Sequence, residues 1–355
     1  MADPHPRGGA PLSAADPVAD QAPTRVPRSW SVAVRRARPE DREAVLALTR
    51  ATWDGWDYIH EVWDDWVTDP VGAFLVATAE PGPDGTPPTD RDGTSLMPGW
   101  PIAIAHLAMP TPTEGWVEGI RVDPVVRGMD VATELVAGTL RAAEATGATV
   151  VRYVTSMANE GSVRLAARHG LLPIGEWRFH GRGREDDRAG SAGRAAVEEV
   201  LTEASAEGLM LPPTAATDAD AWFARIAVDP TFRAGHGLYE HLGWKYQALT
   251  PALLADHLRA GEVLALGPDA AGHWALLLVN RARSLEEGEL WPALLVGDGG
   301  LAAQLLDRLG GEAGPLARLR LPDPAPMLDG HGAAFRALGY VPHEGRMVVV
   351  EKRLR

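Results

Sequence analysis

The sequence of 355 residues contains no cysteine, and this absence removes several kinds of site at once. Disulfides, thiolate metal centres and cysteine nucleophiles are excluded, and a reducing, cytoplasmic compartment is the expected location. No apolar run approaches the roughly 18 residues that span a bilayer. The N-terminus also lacks the apolar core of a signal peptide. We therefore expect a soluble protein without membrane association.

Basic residues are scarce relative to acidic ones: 34 Lys and Arg stand against 48 Asp and Glu, a net charge of −14. A nucleic-acid partner is not expected, because binding to phosphodiesters requires a basic face. The acidity would attract a small cation, although solubility alone also accounts for it. Three common catalytic motifs are missing as well, namely Gly-x-Ser-x-Gly, the P-loop and His-Glu-x-x-His, and we expect no bound metal.

The segment from Gly119 to Ala132 is the most informative part of the chain. It predicts a β-strand, a short turn and a helix that opens on Arg-Gly-x-x-Val-Ala. The first amides of a helix have no partner within it and favour negative charge. Gly128 lets a ligand approach the backbone. The turn therefore suits a pyrophosphate.

Periodicity predicts two halves. A tail (1–28) precedes a first domain (29–180), and a linker (181–217) leads to a second domain (218–355). The first domain has the element order β-α-α-β-β-β-α-β-α-β, in which amphipathic helices alternate with β-branched strands.

The segment resembles the acyl-CoA-binding turn of the GNAT superfamily of N-acetyltransferases, whose pattern is Val-x-Pro-x-x-Arg-Gly-x-Gly-Ile/Val-Gly/Ala. The matching residues are Val122, Pro124, Arg127, Gly128, Val131 and Ala132. The resemblance implies an α/β (α+β) fold, with a mixed, mostly antiparallel sheet flanked by helices, and it covers nearly half of the chain. It also implies acetyl-CoA as co-substrate.

The resemblance assigns the pyrophosphate to the turn and the first helical residues, which are Arg127, Gly128, Met129, Asp130, Val131, Ala132 and Thr133. It assigns the pantetheine arm to the strand at Ile120 and Val122, and to Asn159 in an Asn-x-x-Ser-x-x-Leu pattern. Asn159 is also a helix N-cap candidate, and the two roles are compatible. Asp130 replaces the family's usual glycine, and its carboxylate either repels phosphate or only favours the positive end of the helix.

Glu118 is the candidate general base, because many family members use an acidic residue on this strand. Strict alternation places it on one face with Ile120 and Val122. The alternative is an ordinary strand glutamate that is either solvated or paired with Arg121, and Glu114 is the reserve base. A general acid is missing, because Ala166 stands where the family often has tyrosine. The closest match to that tyrosine pattern is Leu238-Tyr239-x-x-x-Gly243-Trp244.

The resemblance implies that the acceptor contacts the loop between the first two helices, at Trp56, Asp57 and Tyr58. Aromatic and acidic side chains suit an ammonium group, although aromatic packing is an equally good reading. The segment, with Val62-Trp63 and Glu118, loosely resembles the histidine N-acetyltransferase-like subgroup. That likeness suggests an α-amino acid as acceptor.

The second half predicts a further copy of the same fold, because Phe335-Arg336-Ala337-Leu338-Gly339-Tyr340 parallels the end of the first domain. Its turn at Gly297 to Gly300 lacks the Arg-Gly pattern, so this copy is expected to be degenerate and to close the substrate pocket or form a homodimer contact. The resemblance thus implies acetyl transfer to a primary amine of a small molecule. The alternatives are a non-catalytic acyl-CoA-binding or regulatory protein and an acetyltransferase of polycationic amines.

Overall fold

The computed structural model describes residues 27–50, 52, 57–182, 193–310 and 318–355. The chain divides into two compact units. The first unit comprises residues up to 153 together with 159–172 and 350–355, and the second comprises residues 154–158 and 173–349. The first unit therefore takes in a short segment, residues 350–355, from a distant part of the sequence.

The first unit follows the predicted order of elements. Its strands are β1 (Ser31–Arg36), β2 (Ala73–Glu80), β3 (Pro101–Thr111), β4 (Glu114–Val122) and β5 (Val150–Ser156), of which the last three residues of β5 belong to the second unit. Its helices are α1 (Arg42–Thr49), α2 (Ile59–Val67), α3 (Val131–Ala145) and α4 (Glu160–Arg168). Strand β6 (Leu172–Gly181) follows them in the sequence, and all of it except Leu172 belongs to the second unit. The strands lie side by side in the order β1-β2-β3-β4-β5. All neighbours are antiparallel except β4 and β5.

Helices cover both faces of this sheet. On one face α1 and α2 form an apolar cluster with the sheet, because the side chains of α2 at helical spacing (Val62, Trp63 and Trp66) all turn inward. On the other face α3 approaches so closely that a Cβ on Gly138 would lie 2.5 Å from Val34. Glycine at this position permits the helix to pack directly on the sheet.

The second unit contains most of the remaining elements. Its helices are α5 (Gly193–Ala206), α6 (Ala219–Val228), α7 (Pro230–Ala234), α8 (Pro251–Ala260), α9 (Arg281–Glu287), α10 (Gly299–Arg308) and α11 (Gly332–Ala337). Its strands are β7 (Leu238–Leu242), β8 (Lys245–Ala248), β9 (Val263–Leu266), β10 (Ala275–Val279), β11 (Pro292–Gly297), β12 (Arg318–Pro322) and most of β13 (Val341–Arg353). Strands β11, β10 and β9 form one antiparallel sheet, β7 and β8 form a hairpin, and β12 pairs with β6.

The second unit contains the succession β-β-β-α-β-α-β from β9 to β13, with α9 inserted between β10 and β11. The same succession runs from β2 to β6, which is consistent with a second copy of the fold. Helix α5 lies in the segment predicted as linker, and its Val197, Leu201 and Ala204 belong to the apolar core of the second unit. Leu238 and Tyr239 lie in the β7–β8 hairpin, not at a helix end, so the tyrosine pattern found there lacks the structural context that the family gives it. Within the described ranges, no helix is long and apolar enough to cross a membrane.

Candidate active site

Strands β4 and β5 diverge soon after they meet. Their parallel ladder contains three residue pairs, the last of which is Trp116 with Arg152. Beyond Trp116, β4 pairs only with β3 among the strands that the structure describes. The backbone of β4 at Ile120 and Val122 therefore has an edge that can take hydrogen bonds from a ligand. These are the two residues that the sequence assigned to the pantetheine arm.

The turn after β4 has the conformation that the sequence motif requires. Asp123 accepts a hydrogen bond from the amide of Val125, and a single helical turn, Pro124–Val126, leads to Arg127. Gly128 then adopts a φ of +83° and Asp130 a φ of +58°, after which α3 begins. The amides of the first turn of α3, Val131 to Thr133, have no acceptors within the helix. Their N–H groups point outward beyond its N-terminal end. The turn thus offers backbone donors to an anion.

The left-handed conformation of Asp130 explains the family's preference for glycine at this position. Glycine adopts positive φ without strain, whereas aspartate tolerates it at a cost. The carboxylate of Asp130 lies 3.6 Å from the guanidinium of Arg168 on α4. This neighbour partly offsets the negative charge that Asp130 brings to the phosphate site.

A cavity of about 850 Å³ lies at the start of α3. Two arginines, Arg28 and Arg168, line it together with Trp30, Asp130 and Glu134. The Arg28 guanidinium donates to the carbonyl of Met129 at 2.5 Å and lies 3.3 Å from Glu134. Sequence reasoning missed both arginines, although Arg168 lies two residues beyond the Ala166 position of the family pattern. Their guanidinium groups can bind phosphate.

Asn159 caps α4. Its Oδ1 accepts the amide of Ser162 at 3.0 Å, so the structural role expected from the sequence is present. This bond accounts for the carbonyl oxygen, and the amide nitrogen retains the capacity to donate to a ligand. Tyr153 donates its hydroxyl to the carbonyl of Ser162 at 2.9 Å, and burial raises the pKa of this phenol. Ala166 is buried on the same helix, where it offers no proton.

Glu118 lies at a β-bulge. Ile104 pairs with Arg121 and His106 pairs with Glu118, so that two residues of β4, Gly119 and Ile120, stand opposite one residue of β3. The prediction that Glu118 shares a face with Ile120 and Val122 is therefore wrong, because the extra residue inverts the alternation. Glu118 instead shares a face with Arg121. A glycine within a strand is the sequence signal that indicates such a bulge.

The Glu118 carboxylate is part of a chain of three ionisable groups. Its Oε1 lies 2.9 Å from Nδ1 of His106, and Nε2 of His106 lies 3.0 Å from Oδ2 of Asp69. The side chain of Glu118 is 8% exposed and that of His106 is 4% exposed. Neither Asp69 nor His106 was predicted as a site residue. Desolvation raises the pKa of Asp69, but hydrogen bonds from His106, Gly72 and Val71 outweigh it and lower the pKa to about 2.

The predicted acceptor pocket is only partly described. Trp56 lies outside the described residues. Asp57 is buried, binds the guanidinium of Arg121 at 2.8 Å and accepts the amide of Ile59, which begins α2. The Arg121 guanidinium also lies 5.6 Å from the ring centroid of Tyr58. Burial raises the pKa of Tyr58, so its phenol stays protonated. Asp57 and Tyr58 thus lie on the same side of the sheet as Glu118, and the guanidinium of Arg121 on β4 contacts them both.

The reserve base, Glu114, stands at the opposite end of β4. It lies 3.3 Å from the guanidinium of Arg152, which also binds Glu351 at 2.8 Å. Pairing with Arg152 offsets the cost of burying the Glu114 carboxylate. The part of the chain that the structure describes contains no group of three or more His, Asp or Glu side chains that could hold a metal ion.

Comparison with known proteins identifies the class of this domain. Residues 48–171 match the family model of the acetyltransferase (GNAT) family. No curated protein matches the sequence. A GCN5-related N-acetyltransferase from Kribbella flavida has 14% sequence identity, with 92% of this chain and 72% of that chain covered and a TM-score of 0.43.

Two further structures match less than half of this chain. An N-acetyltransferase from Staphylococcus aureus Mu50 has 18% identity over 42% of this chain and 87% of that chain, with a TM-score of 0.32. An acetyltransferase of the GNAT family from Streptococcus pneumoniae has 16% identity over 45% of this chain and 94% of that chain, with a TM-score of 0.32. On the family match, the chain carries an acetyltransferase domain of the GNAT family, the class of enzymes that transfers an acetyl group from acetyl-CoA.

Proposed function

We propose that the chain is an acetyl-CoA-dependent N-acetyltransferase that acts on the primary amine of a small molecule, with an α-amino acid as the favoured acceptor. One observation carries the proposal: a single element, β4, bears both the candidate base, Glu118, and the strand edge that leads into the Gly128 turn. A base and a phosphate site on one rigid strand hold the two substrates at a fixed separation, which is the main requirement of a direct transfer.

The reaction is a direct attack of the amine on the thioester. The amine nitrogen forms a bond to the acetyl carbon, and the C–S bond breaks with its electron pair on sulfur. Glu118 takes the proton that the nitrogen loses. The coenzyme thiolate leaves with a proton from water, because Ala166 provides none. Glu118 and the ion pair of Arg121 with Asp57 place both signs of charge near one another, which suits a substrate that carries both an amino and a carboxylate group.

The second unit supports the assignment of acyl-CoA binding to the first. At the start of α10 the carboxylate of Asp298 accepts the amides of Gly300 and Leu301. A Cβ on Gly299 would lie 2.0 Å from the carbonyl of Met327, so the backbone there is already in close contact with protein. The first amides of α10 therefore donate to a side chain of the protein, whereas the start of α3 faces a cavity. We propose that the second unit is a degenerate copy.

The experiment combines binding with turnover. Titration calorimetry measures acetyl-CoA affinity, and thiol release is then followed with a panel of α-amino acids, polyamines and polycationic drugs. Release with α-amino acids is expected. Release with polycations alone would favour the acetylation of polycationic amines, and binding without release from any amine would favour a non-catalytic acyl-CoA-binding protein.

A matched pair of variants tests the phosphate site. Gly128 and Gly147 both have positive φ, +83° and +87°, and a Cβ on Gly147 meets no atom within 4 Å. Gly128→Ala and Gly147→Ala therefore impose similar backbone strain, but only the first adds a side chain at the ligand. Gly128→Ala should weaken acetyl-CoA binding about ten-fold, since it disturbs the amides that meet the phosphates. Equal affinities of the two variants would contradict the assignment.

A further inference from the structure

His106 is held on every side. Its two ring nitrogens meet carboxylates of Asp69 and Glu118 at 3.0 and 2.9 Å. Its ring stacks on Trp66, with centroids 4.4 Å apart and planes 12° from parallel. The residue is 3% exposed. A histidine in this position has no freedom to rotate, so its two nitrogens remain aimed at the two carboxylates.

The hydrogen-bonding capacity of these groups fixes where protons can be. A neutral imidazole has one donor and one acceptor, whereas an ionised carboxylate only accepts. Asp69 is the firm acceptor, because its other oxygen already receives the amides of Val71 and Gly72, each at 2.9 Å. Nε2 of His106 must then carry a proton for Asp69. The contact between Nδ1 and Glu118 consequently also needs one proton, which either group can hold.

We propose that Asp69 and His106 are positioning residues that form a proton relay behind Glu118. This inference rests on the proposed function. Glu118 takes the proton that the attacking amine loses, and His106 can hold a second proton on Nδ1 while Asp69 accepts the bond from Nε2. After product leaves, the excess proton returns through Glu118 to water. The relay lets Glu118 accept a proton without losing the contact that fixes its orientation.

Other charged groups also surround the relay and set its proton affinity. Arg121 on β4 and Asp57 and Tyr58 before α2 lie on the same side of the sheet as Glu118, and Asp69 follows α2. Arg121 and Asp57 neutralise each other. The negative charge of Asp69 is therefore the contribution to the proton affinity of the relay that a single mutation can remove without breaking the pair of Arg121 with Asp57.

Kinetics on the full chain provide the first test. Asp69→Asn and His106→Gln should each lower kcat about ten-fold or more, with the KM for acetyl-CoA changed less than about two-fold. Asp69→Asn should also move the rising limb of the kcat/KM pH profile to lower pH by roughly half a unit or more, because a negative charge that favours the protonated relay is gone. The controls are Asp65→Asn and His60→Gln, the same changes at exposed residues of α2.

The two ways of failing are distinct. A wild-type chain that binds acetyl-CoA but releases no thiol with any amine overturns the proposed function, and the relay with it. An active wild type whose Asp69→Asn and His106→Gln variants keep its kcat overturns the relay alone. A fall in kcat without movement of the pH profile in Asp69→Asn also overturns it, because that result indicates a structural role.

Nitrogen-15 NMR of histidine-labelled protein provides a readout that does not depend on turnover. The His106 resonances are assigned from their loss in His106→Gln. In the wild type, Nε2 should carry its proton from pH 6 to pH 9, and in Asp69→Asn the proton of the neutral ring should move to Nδ1. An unprotonated Nε2 in the wild type, or a tautomer that Asp69→Asn leaves unchanged, would overturn the relay.

Discussion

The indole of Trp66 lies flat against the imidazole of His106 on one side and touches the backbone of Gly119 with its far edge. A Cβ on Gly119 would lie 2.5 Å from Cη2 of Trp66. One aromatic side chain from α2 thus contacts both the bulge that orients Glu118 and the histidine that binds it. The geometry of the candidate base depends on this single packing contact.

Gly119→Ala should disrupt that contact. The added methyl group collides with Trp66, and φ of +64° is unfavourable for any residue with a Cβ. The free energy of unfolding should fall by about 2–4 kcal/mol, as the sum of backbone strain and overpacking. Urea denaturation measures it, with Gly147→Ala as the control for backbone strain alone. Equal destabilisation by both variants would show that Trp66 yields without cost.

Glu118→Gln should lower kcat about ten-fold or more, since the amide cannot accept the amine proton. The KM for acetyl-CoA should stay within about two-fold, because the coenzyme meets the backbone of β4 and the turn. Steady-state thiol release provides both values. The control is Glu160→Gln on α4, where Glu160 is exposed and pairs with Arg164. An unchanged kcat in Glu118→Gln would remove this residue from the role of base.

Asp130→Gly should bind acetyl-CoA as tightly as the wild type or more tightly. The change removes a carboxylate from the phosphate site and relieves the left-handed backbone at once. Asp130→Asn separates the two effects, because it removes the charge and keeps the conformation tolerable. Titration calorimetry measures both. A several-fold loss of affinity in Asp130→Gly would mean that the carboxylate has a positive role in binding.

The stability of the first unit should depend on Asp69 in acid. Its pKa is about 2 in the folded state, below the ordinary value of 3.8, so the ionised form is favoured by folding. The stabilisation is complete above about pH 4 and is lost as the pH falls through about 2. Between pH 5 and pH 2 the wild type should lose about 2 kcal/mol more than Asp69→Asn. Urea unfolding at both pH values tests this, and equal losses would contradict it, with Asp65→Asn as the exposed control.

The order of elements in the first unit was predictable because each helix and strand has a clear period. The bulge was not, because strict alternation was applied through Gly119 even though a glycine within a strand is a warning. The contacts of Glu118 also could not be predicted from the sequence. Asp69 and His106 are 37 residues apart and meet only through the pairing of β2 with β3. No local sequence pattern predicts that Asp69 and His106 contact each other.

The second unit was predicted less completely for similar reasons. Helix α8 has the clearest sequence signals for a helix start, with Thr250 as N-cap and Pro251 at the first helical position. The short helices α7 and α9 have fewer than eight residues, too few for a period to be recognised. In the coenzyme site, the turn was predicted from its sequence motif. Arg28 was missed because it was assigned to the N-terminal tail, whose residues lack periodicity.

The last six residues of the chain count among those of the first unit, where Glu351 binds Arg152 and the amide of Leu354 binds the carbonyl of Thr149. A gene fragment cut near residue 172 would omit them and leave the Arg152 guanidinium with one fewer carboxylate. During translation, the last strand contacts of the first unit can likewise form only after residues 350–355 have been synthesised. Expression of that unit alone therefore calls for a permuted or co-expressed segment, not a simple truncation.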